Sequence, residues 1–129
     1  MKFINLTPHS IVIFQREDIE FDSAIRKYTA NTDCKCIAEI PSSGVASAKI
    51  LTESAELIYD VPTFRKTITD CDPLPEHDSD DIIIVSALYA SAFRKVHPES
   101  DIRLYTISDP VYTPDGKTVL GCLGICEAF

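Results

Sequence analysis

Phe3-Ile4-Asn5-Leu6-Thr7-Pro8-His9-Ser10-Ile11-Val12 places two short apolar runs on either side of a polar corner, Asn5 to His9. The pattern reads as strand, tight turn, strand, with Pro8 setting the backbone of the turn. The first strand is predicted over Phe3 to Leu6 and the second over Ile11 to Phe14. Chain ends fray unless something ties them down. Patterning this close to the N-terminus predicts a strand built into the fold.

Outward from the corner, further strands are predicted at Cys36 to Ile40, Val45 to Leu51 and Glu56 to Val61, with a weaker one at Phe64 to Thr69. Pro41-Ser42-Ser43-Gly44 marks a turn, because glycine supplies a positive φ. Residues 16–32 are polar and mixed, and the run from Asp22 to Ala30 reads as either a short helix or an irregular excursion. Ile82 to Val85 is apolar throughout, as expected of a strand buried on both faces. Ser86 is a good N-cap for a helix over residues 87–97, with Leu88, Ala92 and Val96 on one face beside Tyr89 and Phe93. Pro98 ends it. A strand over Ile102 to Ile107 follows, then a hairpin of Val111-Tyr112 with Thr118 to Ile125 around Thr113-Pro114-Asp115-Gly116-Lys117. Many short strands and one definite helix define an α+β domain. A single domain over residues 1–129 is expected, with a mainly antiparallel sheet or open barrel and one or two helices packed on it.

The net charge of −8 argues against DNA, RNA or an anionic membrane as partner, because the average field repels phosphate. A small anion needs only a local group of donors. No apolar run approaches the ~20 residues of a membrane span, and the N-terminal stretch is too polar for a signal peptide. Five cysteines, an odd number, point to reduced thiols. Cys34-Lys35-Cys36 would put two thiols on one strand face, but a zinc site needs about four ligands and the histidines lie elsewhere. Residues 70–81 carry six carboxylates, yet lack the glycine and terminal glutamate of a calcium loop. A solvated loop with no metal is the expectation.

No nucleophile elbow or phosphate-cradling glycine loop is present in the sequence. His9 is expected to bond local backbone, His77 to be solvated, and His97 to sit at the helix C-terminus, where the dipole favours a cation. Tyr89, Phe93 and Arg94 on the helix, with Arg103 and Tyr105 on the next strand, could stack a base and fork onto phosphate. The same residues also read as core aromatics with arginines at the rim.

Five pieces of sequence, in order, carry a resemblance: Ile4-Asn-Leu-Thr-Pro-His-Ser-Ile11, Pro41-Ser-Ser-Gly-Val-Ala46, Leu74-Pro75, Ile84-Val-Ser86 and Gly121-Cys122. Together they resemble small phage and prophage proteins of the anti-Thoeris family, sponges that bind cyclic nucleotide immune signals without cleaving them. The resemblance spans most of the chain. It implies a non-enzymatic homo-oligomer built from dimers, up to a hexamer, in the cytoplasm of an infected bacterial host. Its pockets would lie between subunits and take a cyclic ADP-ribose isomer, with cyclic di- or trinucleotides of CBASS defence at separate sites in some members. No cofactor is implied. Residues 15–36 look like an insertion, and Lys49 and Tyr112 stand near positions where arginines are usual. The ligand-binding residues expected on this reading are Phe93, Arg94, Arg103, Tyr112 and Lys49. Two other readings stay open: a phage interaction or assembly module without a small ligand, and a small hydrolase using His9 or a cysteine beside a histidine.

Overall fold

The polar corner does not fold its two strands onto each other. In the computed structural model, which describes residues 1–30 and 35–128, β1 (Phe3–Asn5) pairs in parallel with β8 (Ile82–Ile84). Strand β2 (Ile11–Phe14) lies instead between β5 (Cys36–Ile40) and β10 (Val119–Glu127). The side chain of Asn5 sets this divergence. It is fully buried, and its Nδ2 donates to the carbonyls of His9 (2.8 Å) and Ile40 (3.0 Å). Its Oδ1 accepts from the Thr7 N–H (3.0 Å) and the Thr7 hydroxyl (2.6 Å). One side chain therefore holds the turn and joins it to the end of β5.

The sheet runs β1-β8-β9-β10-β2-β5, with β9 spanning Leu104–Tyr112. It nearly closes on itself. Asn5 bridges Ser42 just after β5, the Ser43 N–H donates to the Asn5 carbonyl (2.7 Å), and the Ala46 N–H donates to the Leu6 carbonyl (3.1 Å). The longest ladders, β9 with β10 and the separate pair β6 (Ala48–Ser54) with β7 (Phe64–Cys71), are antiparallel. The parallel contacts are short. This is the expected α+β architecture, mainly antiparallel and barrel-like.

Side chains alternate across the barrel wall. Ile11, Ile40, Ile84 and Cys122 fill the interior with Tyr105 and Ile125. Ile4, Ile83 and Leu104 face outward under helix α1 (Ala87–Val96). The predicted two-sided burial of Ile82 to Val85 is thus literal: Ile83 meets the helix and Ile84 meets the interior. Gly121 permits the β10–β2 contact, since a Cβ there would fall 2.4 Å from the Val12 carbonyl oxygen.

Ser86 caps α1 as predicted, its Oγ accepting from the Tyr89 N–H at 3.1 Å. The buried stripe is Tyr89, Ala90, Ala92 and Phe93. Leu88 lies outside it and is half exposed, contrary to expectation, because each helical residue turns ~100° from its neighbour. No helix among the described residues is long and apolar enough to cross a membrane.

Two other expectations fail. After a 3₁₀ turn at Arg16–Asp18, residues 20–29 form a β-hairpin, β3 (Glu20–Asp22) with β4 (Lys27–Thr29), which docks on the far end of β9. Arg26, at φ 56°, turns it without glycine. Glu56 to Val61 is a tip rather than a strand. Tyr59 and Asp60 both have positive φ, and Ile58 and Val61 exchange both backbone hydrogen bonds around them. Positive φ at both central residues matches the tightest hairpin turns. Cys34 lies outside the described residues, so the Cys34–Cys36 spacing is left as a sequence reading.

Asn5→Leu keeps the bulk but takes the amide donor from the Ile40 carbonyl and the acceptor from the Thr7 N–H, and leaves the His9 carbonyl only the Thr7 hydroxyl. A loss of about 3 kcal/mol is expected, at one to a few kcal/mol per stranded buried group, read from urea unfolding midpoints. Tyr89 is fully buried and donates to the Asp72 carbonyl at 2.6 Å. Burial, with Cys71 and Asp72 beside it, pushes its phenol up to about 12. The unfolded phenol titrates near ~10. Stability from this group is therefore complete below pH ~10 and is lost as pH rises from there toward the folded value. Tyr89→Phe should cost about 1 kcal/mol at neutral pH and flatten that alkaline decline in pH-dependent melting curves.

Candidate functional site

The corner, the helix start and the last hairpin meet at one cavity of about 480 Å³. Thr7, His9 and Ser10 come from the corner, Val85, Ser86 and Ala87 from the end of β8 and the start of α1. Thr106 and Ile107 come from β9, and residues from Val119 to Cys122 from β10. Small-molecule sites commonly span ~300–1,000 Å³ with apolar walls and a few placed polar groups. Here the walls are aliphatic and the polar groups are hydroxyls, one imidazole and the start of a helix. The first N–H groups of a helix have no intrahelical acceptor. Ser86 Oγ takes that of Tyr89, and Ala87, the first helical residue, lines the cavity. Among the described residues no carboxylate lines this cavity, in a chain with 20 acidic residues.

His9 differs from its expected role. Its backbone carbonyl accepts from Asn5 and Thr7, while its ring is exposed at the rim and makes no hydrogen bond among the described residues. Cys122 closes the floor. Burial pushes its thiol above the ordinary value, so it is a neutral thiol at pH 7.

The residues expected to bind ligand do not share a site. Phe93 is core, packed 6.2 Å from the Tyr89 ring and 4.8 Å from the His97 ring, so its face is unavailable for a base. Arg94 is exposed on the outer side of α1. Lys49 is exposed on β6. Tyr112 lies at the far end of β9, with the Lys27 ammonium 4.4 Å above its ring. Arg103 stands just before the other end of that strand, ~30 Å away at ~3.3 Å per residue. None of the five lines the cavity at the corner. The residues that do were read from sequence as turn, cap and strand. Their signal was present in the Asn-Leu-Thr-Pro-His corner and in Ser86, but their meeting depends on pairings across the whole chain.

Arg103 lines a second cavity with Asp78, Asp80, Asp81 and Asp101, and pairs with Glu127 at 3.6 Å. Its carboxylates make it a poor anion site. They serve the N-terminal strand: Asp81 accepts from the backbone N–H of Asp78 (2.9 Å) and of Lys2 (3.0 Å), and Asp80 meets the N-terminal amine at 3.3 Å. Hydrogen bonding from Asp78, ahead of that from Lys2, holds the Asp81 carboxyl below the usual range. The acidic loop is thus a clamp as well as a solvated surface.

Comparison with protein-family models, with curated proteins and with solved structures finds no match for the chain.

Alkylation should separate the thiols. Cys36 and Cys126 are exposed, Cys71 and Cys122 buried. Brief iodoacetamide treatment at neutral pH, mapped by peptide mass spectrometry, should label the first pair and spare the second. Prompt labelling of Cys122 would mean that its thiol is reactive.

Proposed function

We propose that this chain is a phage-encoded sponge that sequesters a cyclic nucleotide immune signal, a cyclic ADP-ribose isomer first among the candidates, in the cavity at the corner. The observation that carries this reading is a convergence. Three of the five sequence pieces that resemble the anti-Thoeris family, the corner, Val85-Ser86 and Gly121-Cys122, line that one cavity. A fourth, the Pro41 to Ala46 segment, zips directly to Asn5 and Leu6 behind it.

The chemistry fits an anionic, partly aromatic ligand. A helix start favours phosphate through its N–H groups and its partial positive charge. His9 and the hydroxyls of Ser10, Ser86 and Thr106 offer donors, and Ile107 with Val119 and Leu120 offers an apolar wall for a base. Holding a signal requires affinity without turnover, and a nanomolar site corresponds to about −12 kcal/mol. The homo-oligomer and the host cytoplasm belong to the same proposal. A second reading, an interaction module without a small ligand, draws on the apolar tip of the β6–β7 hairpin, where Leu57, Tyr59 and Phe64 are exposed.

Native mass spectrometry with a panel of cyclic ADP-ribose isomers and cyclic oligonucleotides tests the reading. The expected result is a complex whose ligand is recovered with unchanged mass after denaturation. Val119→Trp, which fills the cavity from an exposed position, should weaken binding at least tenfold while leaving the melting temperature nearly unchanged. Ligand recovered only in hydrolysed form, or no complex with any member, would reject the sponge.

A further inference from the structure

The β6–β7 hairpin is a separate two-stranded sheet, outside the barrel. Helix α1 covers only its base, through Ala48, Ile68 and Cys71. Beyond that, β6 is exposed from Lys49 to Ser54 on both of its faces. A lone two-stranded hairpin is marginal in water, and a bare edge is a template for another strand. The two edges differ. On β7, Lys95 of the helix donates to the Ile68 carbonyl at 3.1 Å, while β6 has no strand on its outer side among the described residues.

We infer that two copies of this chain join through the outer edges of β6, antiparallel about a two-fold axis at Leu51, into one four-stranded sheet. The edge is self-complementary in that register. Leu51, half exposed, meets the partner's Leu51 on the axis. Lys49 then faces the partner's Glu53, and Glu53 faces the partner's Lys49. Neither charge makes an ion pair within its own chain among the described residues. An isologous contact requires this kind of match, in which each patch complements itself.

The tip adds apolar surface. Tyr59 is 97% exposed and Phe64 62%, holding out roughly 300 Å² of ring between them. A stable interface takes ~800 Å² from each partner. A lipid surface fits less well, because insertion of the tip would carry Glu56 and Asp60 with it. This inference gives the homo-oligomer of the proposed function a contact surface; it is argued from the hairpin and not from the ligand, so its failure leaves ligand binding to be judged by native mass spectrometry.

Sedimentation velocity of the full chain tests it. The wild type should sediment as a dimer or an assembly of dimers. Lys49→Glu and Glu53→Lys, each creating two like-charge contacts, should raise the dissociation constant of this contact about tenfold. The chain carrying both changes should recover wild-type association, because the exchanged charges again attract across the axis. Circular dichroism on every variant checks that the fold is kept. A monomeric wild type, an assembly indifferent to both single changes, or failure of the double change to recover would each overturn the proposal. So would a monomer that co-floats with neutral phosphatidylcholine vesicles, which would assign the tip to membranes.

Discussion

A buried amide governs this fold. The Asn5 side chain can donate twice and accept twice, and all of that capacity is used by His9, Ile40 and Thr7. A buried polar group this well matched is stable only in one arrangement of the groups around it. The corner must turn so that His9 offers its carbonyl, and β5 must end where Ile40 offers its own. Barrel closure through Ser42 and Ser43 follows from the same point. The rim of the corner cavity inherits its geometry, since Thr7 and His9 are both held by Asn5.

Charge is partitioned over this frame. The carboxylates of Asp80 and Asp81 are committed to the start of the chain, and Asp78 and Asp101 join them around the second cavity. The corner cavity is free of them. An acidic chain that repels polyanions at long range can still accept a small anion at such a place, because charges beyond ~10 Å are screened.

What could be read from residues alone was local. Ser86, the apolar run before it and the Pro-Asp-Gly turn near residue 115 each act within a few positions, and each folds as read. The tip at Tyr59-Asp60 was missed because neither residue is the glycine or asparagine that such a turn favours, and the β3–β4 hairpin for the same reason at Arg26. Arginines and aromatics were chosen as ligand contacts for their chemistry. Packing decided otherwise: Phe93 fills the space under α1, and Arg103 finds Glu127 at the surface. The cavity is built from hydroxyls and aliphatic groups on three remote segments, brought together by the β8–β9, β9–β10 and β2–β10 contacts. No short window of sequence contains that arrangement.

The pairing of β1 with β8 carries a cost in time. During synthesis at roughly 5–20 residues per second, Phe3 to Asn5 leave the ribosome well before Ile82 to Ile84 exist to receive them. Strand β2 finds β5 early, but its other edge waits longer still, for Cys122. The nascent chain therefore carries β1 and one edge of β2 unpaired until those partners emerge, and the barrel closes only after Cys122 has been made. Such topologies fold slowly because distant segments must meet before contacts reward them. The early strands are short, three and four residues, which limits how firmly they can stick to a neighbouring chain while they wait.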